Sequence, residues 1–471
     1  MQVILRMTGL QHAQLQQQLY PGDGSEAVVL VLCGRHQGKH RHTLTVSEII
    51  PVAPASYHSR SPLQVSWSTA GLPVILEKAA RKDMALLKIH SHPNGHDQFS
   101  PTDDNADREL FASVFGWMEN DLPHASAVML PDGRIFGRSV QADLTFAPLA
   151  AVALAGDDLQ FRFANEQPSL FLPEFTRRQA QAFGRGTIEL LRRLSVAVVG
   201  CSGTGSPVIE QLARLGIGKL VLIDPDRVEE KNLNRILNTT MSDAKRARSK
   251  VQILARAIEQ MGFGTQVIAL ETNLQNPQAI QAVAECDVVF GCMDSIDGRH
   301  LLNRLAVFYN LPYFDVGVKL IADGRGGVEQ ICGTVHYLQP DRSSLLSRGV
   351  YTQEQLLAAA LKKANPQVYA ERLREKYIVG VQEERPAVIS VNMLFAAFAV
   401  NEFLARLHRF RDDSNEWFAV TRYSLTQGQF YQEPESEPCP VLARHVGRGD
   451  TTPLLDLPEL SDDLPMKREA A

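Results

Sequence analysis

Apolar and polar positions along the chain alternate between two rhythms, and their succession predicts layered α/β structure. Residues 27–33 form an apolar run, and residues 43–50 alternate as a half-buried strand would. Residues 72–81 repeat at helical spacing and lead into a strand over residues 85–89. A second helix opens at Asp103, with Leu110, Phe111, Val114 and Phe115 on one face. Further on, residues 175–194 read as a helix entering a short β-branched strand, 196–199. Three glycines follow, then a helix with Val208, Ile209, Leu212 and Leu215 on its inner face, then a strand over 220–223 that ends at Asp224. Residues 287–290 give another buried strand, 350–377 two helices, and 387–407 a long amphipathic-to-apolar helix.

At 471 residues the chain exceeds what one core organises, so two or three domains are expected. The expected divisions are 1–155, a linker at 156–174, 175–431, and an acidic, proline-punctuated tail at 432–471 that packs lightly or not at all. Net charge of −5 implies no basic field for nucleic acid. Apolar stretches are interrupted too early for a membrane span, and the first ten residues lack a signal-peptide core. Six cysteines without paired spacing fit a reducing compartment, and the expected location is cytoplasmic.

Candidate chemistry falls in two places. Residues 90–103, HSHPNGHDQFSPTD, put His90 and His92 two apart on an extended strand, so both imidazoles share one face. With Asp103 they form a set of three protein ligands that leaves a fourth tetrahedral position open, as a hydrolytic zinc site requires. His96, in the same loop, reads as a solvated residue. The second place is the strand, glycine turn, helix, strand and acid centred on Gly200, Gly203, Gly205 and Asp224, the form of a nucleotide-binding βαβ unit. That fingerprint alone suits a dinucleotide equally well. Arg235, Lys250 and Asp294 add two cations and a magnesium-suitable carboxylate, which fit ATP better.

The first motif resembles the JAMM signature of JAB/MPN metalloproteases. The resemblance implies zinc held by His90, His92 and Asp103, oxyanion stabilisation by Ser100, and a glutamate general base on an early strand. Glu26 is the candidate, one residue further from Gly34 than the family pattern, which requires a bulge. The second region resembles the ThiF/MoeB/ubiquitin-activating adenylyltransferases over residues 175–407. This implies ribose binding by Asp224, a nucleoside site shaped by Asp226 and Asn232, phosphates on Arg235 and Lys250, and Mg2+ on Asp294. Arg178 matches the arginine that relatives extend into a dimer partner, so a homodimer is implied. Residues 380–385 correspond to the loop crossing the acyl-adenylate site.

Two departures stand out. Ser202 occupies a glycine position, and the paired CxxC zinc staples are reduced to Ser344, Ser347 and Cys439, the last expected to be the most exposed thiol. The combined expectation is an α/β protein with an N-terminal JAB/MPN domain and a Rossmann-like ThiF domain. It would adenylate the C-terminal glycine of a ubiquitin-like protein with ATP, and process precursors or isopeptide conjugates with zinc. A conjugating enzyme is a further implied partner, and modification or antiviral defence the implied setting. Alternatives are a sulfur-carrier or peptide adenylyltransferase, a scaffold with one pseudoenzyme half, and a dehydrogenase.

Overall fold

The computed structural model describes residues 2–164, 172–374 and 386–461. They fall into two compact units, the first drawn from Met1–Gln167, Phe308–Asn310 and His445–Ala471, the second from Pro168–Val307 and Leu311–Arg444.

The first unit begins β1 (Gln2–Thr8), α1 (Gly9–Leu19), β2 (Val28–Gln37), β3 (Arg41–Pro51), β4 (Tyr57–Ser61) and β5 (Gln64–Trp67). It continues α2 (Leu72–Arg81), β6 (Ala85–Ser91), α3 (Pro101–Trp117), β7 (His124–Met129) and β8 (Ile135–Val140). Three short strands, β9 (Phe146–Pro148), β10 (Ala151–Ala155) and β11 (Leu159–Phe163), complete it. Nine strands form one sheet in the order β11-β10-β1-β3-β2-β6-β7-β8-β9, while β4 and β5 pair as a separate hairpin. Strand alternation divides the core between the two faces. Val29, Val31, Leu87 and Ile89 pack with Leu15 and Leu19 of α1, whereas Leu30, Leu32 and Leu86 pack with Leu76, Phe111 and Val114 of α2 and α3. The next even-numbered positions of β6, Lys88 and His90, share the second face, so the chemistry grows out of the α2/α3 layer.

The second unit opens with α4 (Arg177–Arg193), β12 (Ser195–Val199), α5 (Gly205–Leu215), β13 (Lys219–Ile223), α6 (Met241–Lys245), α7 (Lys250–Met261) and β14 (Gln266–Leu270). Next come α8 (Pro277–Ala284), β15 (Val288–Gly291), α9 (Ile296–Phe308), β16 (Tyr313–Ala322) and β17 (Val328–Leu338). The last elements are α10 (Gln353–Ala364), α11 (Pro366–Arg374), α12 (Ile389–Leu407), β18 (Val420–Ser424) and β19 (Gln429–Glu433). The sheet order is β14-β13-β12-β15-β16-β17-β18-β19, parallel from β14 to β16 and antiparallel beyond. Chain order reverses between β12 and β15, which makes the carboxyl ends of those two strands the topological switch point.

Three expectations need correction. The stretch expected as a linker carries β11, because Leu159 and its neighbours complete a hairpin on β10. The segment read as a loose tail is ordered through Leu460 and lies on β2 and β3. Thr45 Oγ1 and the Gly34 amide both donate to the Gly447 carbonyl, at 2.9 and 3.1 Å. Asp450 accepts from Tyr309 Oη at 2.8 Å and pairs with His36 Nδ1 at 3.0 Å. Finally, α12 is long and apolar enough to cross a bilayer by length and composition. It packs instead as a core helix, with Val391, Phe395, Ala399 and Phe403 buried. The loop expected at 380–385 lies outside the described residues.

Gly447 tests the strap directly, because it has φ +66° and a Cβ there would stand 1.9 Å from the Val46 carbonyl oxygen. Gly447→Ala should lower unfolding free energy by roughly 1–3 kcal/mol for the backbone strain alone, read from the urea midpoint.

Candidate functional sites

The three candidate metal ligands, His90, His92 and Asp103, converge. Their donor atoms lie within 4.8 Å of one another. His90 Nε2 stands 3.0 Å from His92 Nε2 and 3.1 Å from an Asp103 oxygen. His92 Nδ1 donates to the His96 carbonyl at 2.7 Å, which leaves the Nε2 lone pair free to ligate. Burial first, then the Lys88 charge, pushes the His90 imidazole down to about 4, so it stays neutral and able to ligate. Burial works to raise the Asp103 carboxyl, but hydrogen bonds from His90 and Ser100 outweigh it and hold the group well below its ordinary value. Two imidazoles and an ionised carboxylate fit a divalent zinc-type ion.

Ser100 turns out to be the holder of a ligand. Its hydroxyl donates to Asp103 Oδ2 at 2.7 Å and accepts from the Asp103 amide at 3.1 Å, a capping box that starts α3. The proton expected to face an oxyanion is therefore directed at Asp103.

Glu26 lies in the same cavity of about 550 Å3, with His90, His92, Asp103 and Lys88. The expected bulge exists, but in the pairing of β2 with β3, at Leu32/Cys33. The pairing of β2 with β6 runs regularly from Val28 opposite His90 to Cys33 opposite Ala85. Glu26 comes to the site because its backbone is clamped by the β4–β5 hairpin. Its amide donates to the Ser61 carbonyl at 2.9 Å, and its carbonyl accepts from Arg60 Nε at 2.8 Å. Burial first, then Asp103, pushes its carboxyl up to about 7, near the value a general base needs at neutral pH. The hairpin, whose Leu63, Val65 and Trp67 line the cavity, was not expected from the sequence.

A further group of charges lies behind the site. Asp107, one turn beyond Asp103, is fully buried and accepts from Lys88 Nζ at 2.8 Å and Arg138 Nη2 at 2.7 Å. Arg138 also pairs with Asp104, and its guanidinium lies 3.8 Å from the ring centres of both Phe99 and Phe146. Sequence reasoning missed this group. The available signal was Lys88 itself, a charge inside a buried strand.

In the second unit the glycine turn follows β12 at the switch point. Gly200 has φ +89°, and a Cβ there would stand 2.7 Å from the Cys292 carbonyl on the loop after β15. Asp224 is buried and accepts from the amides of Cys201 at 2.7 Å and Asp226 at 2.9 Å. Lys250 Nζ lies 2.7 Å from Asp226 and 3.7 Å from Asp224. Asn232 uses its side chain on the Glu229 amide, at 3.0 Å. Arg235 donates to the Lys231 carbonyl at 2.8 Å, and its Cδ would lie 3.0 Å from a Cβ at Gly203. Gly205 packs so closely on the Gly200 carbonyl that no side chain fits. Asp294 is exposed just past β15, and Arg178 is exposed on α4. The loop, Asp224, Asp226 and Lys250 are thus brought together, with Arg235 against the loop.

None of the six cysteines is exposed. Burial raises the thiols of Cys201 and Cys292 well above their ordinary value and that of Cys33 to about 12. Cys439, expected to be the most exposed, is 1% exposed, because its segment is tied back through its amide to the Arg342 carbonyl at 3.0 Å.

These features define a chain with an N-terminal unit suited to a metal and a C-terminal unit of mononucleotide-binding topology. The chain belongs to the ThiF family, whose model matches residues 176–440, and the model of prokaryotic homologs of the JAB domain matches residues 11–138. The fold class implied by the two resemblances therefore holds. Adenylyltransferase and sulfurtransferase MOCS3 of Danio rerio is 36% identical over 123 residues, 26% of each chain. Ubiquitin-like modifier-activating enzyme 5 of Culex quinquefasciatus is 27% identical over 200 residues, 40% of this chain and 44% of its own. The chain thus spans less than half the length of these curated relatives. Among solved structures, E. coli MccB with ATP aligns over 59% of this chain and 75% of its own, at 17% identity and a TM-score of 0.43.

Removing Asp107 takes the carboxylate from buried Lys88 and leaves Arg138 with Asp104 alone. Asp107→Ala should therefore cost about 3–5 kcal/mol of unfolding free energy, measured by urea titration.

Proposed function

We propose that this chain uses ATP to activate the C-terminal carboxylate of a small protein carrier, a ubiquitin-like or sulfur-carrier protein ending in glycine. The N-terminal unit is proposed to hydrolyse peptide or isopeptide bonds at the tail of the same class of protein. The observation that carries the reading is the placing of Glu26, His90, His92 and Asp103 in one cavity, on a chain that also carries the ThiF glycine loop.

In the activating half, a carboxylate oxygen of the carrier attacks the α-phosphorus of ATP, the bond to pyrophosphate breaks, and an acyl-adenylate forms. Arg235, Lys250 and the amides of the glycine loop would neutralise the polyphosphate, Asp224 would accept from the ribose, and Asp294 would hold magnesium. Lys250 lies between Asp226 and Asp224, which hold its ammonium beside the glycine loop. In the hydrolytic half, His90, His92 and Asp103 would hold zinc, which when bound acts as a Lewis acid and makes water more acidic. Glu26 would accept the proton that water gives up, and Ser100 would keep Asp103 aligned.

Four cysteines are buried, and Cys292 and Cys332 are half-buried, which favours transfer of the activated carboxylate to a nucleophile on another protein, either a conjugating enzyme or a sulfur donor. Arg178, exposed on α4, is proposed to serve the ATP site of a second copy in a homodimer. The proposed setting is cytoplasmic.

ATP–pyrophosphate exchange dependent on a ubiquitin-like or sulfur-carrier protein should be lost in Asp294→Ala. Exchange that no such carrier stimulates would remove the activating half. Zinc content should fall by one equivalent per chain in His92→Ala. Glu26→Gln should keep the zinc and lose about 100-fold or more in tail cleavage.

A further inference from the structure

Thr204 stands in the glycine turn just before α5, and its side chain does nothing for the helix it precedes. It makes no capping bond. The reason is local: the Ser206 amide is already taken by the Ser202 carbonyl, and Pro207 has no amide proton. What holds the hydroxyl is Asn392, on the first turn of α12, whose Nδ2 donates to Thr204 Oγ1 at 2.9 Å.

A hydroxyl has one proton and two acceptor positions. With Asn392 donating from behind, the Thr204 proton remains to be given away, and no hydrogen bond from it is formed among the described residues. Asn392 is itself only 7% exposed, and its Oδ1 is buried with no partner. That oxygen is an acceptor, which an anion does not complete; the group that points to an anionic ligand is the Thr204 hydroxyl proton, with Asn392 Nδ2 spent on the hydroxyl oxygen. The same wall includes Gly203 and Arg235. A Cβ at Gly203 would meet Arg235 Cδ at 3.0 Å and Asn392 Nδ2 at 3.2 Å.

We propose that Thr204 is a further phosphate-binding residue of the nucleotide site and that Asn392 is the positioning residue that aims it. This rests on the nucleotide reading of the glycine loop. The ligand group is an anionic phosphate oxygen of a nucleoside triphosphate, accepting from the Thr204 hydroxyl beside the amides of the loop. Asn392 provides what a valine or leucine at that position could not, a donor that fixes which way the hydroxyl points.

The test is equilibrium binding of Mg–ATP to the full chain, with thermal melting of every variant. Thr204→Val should weaken binding about tenfold, whereas Thr204→Ser should stay within about twofold of wild type. Asn392→Asp keeps the shape but turns the donor into an acceptor that draws the hydroxyl proton inward, so it should weaken binding at least as much as Thr204→Val. Adding Asn392→Leu to Thr204→Val should cost little more, since its target is gone. Wild-type affinity in Thr204→Val overturns the proposal, as do additive losses in the double variant. If Asn392→Leu does not fold, the Thr204→Val and Thr204→Ser pair still decides. Failure of the wild-type chain to bind Mg–ATP would overturn the nucleotide reading as well, whereas wild-type binding with Thr204→Val unaffected overturns this inference alone.

Discussion

A carboxylate taken out of water must be met by donors on every side, and in each unit one such group sets the geometry around it. In the first unit it is Asp107. Lys88 reaches it from β6 and Arg138 from β8, so one buried side chain on α3 is tied to two strands of the sheet. Asp103 lies one turn earlier on that helix, and His90 lies two residues beyond Lys88 on that strand. The charge network thus ties helix to strand beside the three candidate ligands. In the second unit Asp224 plays the corresponding part, with its oxygens on the amides of Cys201 and Asp226. The glycine turn after β12 and the loop after β13 cannot move independently, since either movement strands a buried carboxylate.

Much of this was legible in the sequence. The helix over 72–81, the strands either side of the glycine turn and the triad His90, His92 and Asp103 could be read because period and spacing are local properties. The β4–β5 hairpin, β11 and the strap at Gly447 could not. The two hairpins pair locally but are too short to carry much signal of their own, whereas Gly447 owes its place to Val46, distant in the chain. Glu26 shows the same division. Its identity was readable, but the bulge inferred from its spacing lies in the pairing of β2 with β3, while β2 runs regularly against β6. The register is set by which residues must face α2 and α3. Asp107 escaped notice because a charged residue on a helix is usually solvated.

The thiols carry a consequence for how the two chemistries could be joined. An acyl-adenylate is a high-energy mixed anhydride, and capture by a resident cysteine needs an accessible thiolate. Cys201 lies within the glycine turn, yet its sulfur faces the carbonyls of Val198 and Ile223, and burial keeps it protonated. Proximity to the loop therefore does not make it a nucleophile. Under the proposed activity, Cys201 is thus no acceptor for the activated carboxylate.

The degenerate staple completes that argument from the structural side. Where relatives with paired CxxC motifs would hold a metal, Ser344 and Ser347 bond each other reciprocally, amide to hydroxyl, at 2.9 and 3.1 Å. Beside them Arg348 makes paired bonds to Glu435, at 3.1 and 3.0 Å, and donates to the Ala419 carbonyl at 3.0 Å. Both bonds come from one nitrogen, Nη2, and both members of the ion pair are nearly excluded from solvent, so it counts for more than a surface pair would. Closure of this part of the ThiF unit is therefore achieved by hydrogen bonds and one buried ion pair, which a chelator does not disturb. Under the proposed function, a metal dependence of folding or activity would then report on His90, His92 and Asp103, or on an ion brought by the nucleotide. Those two are separable by ligand type, imidazole for one and oxygen alone for the other.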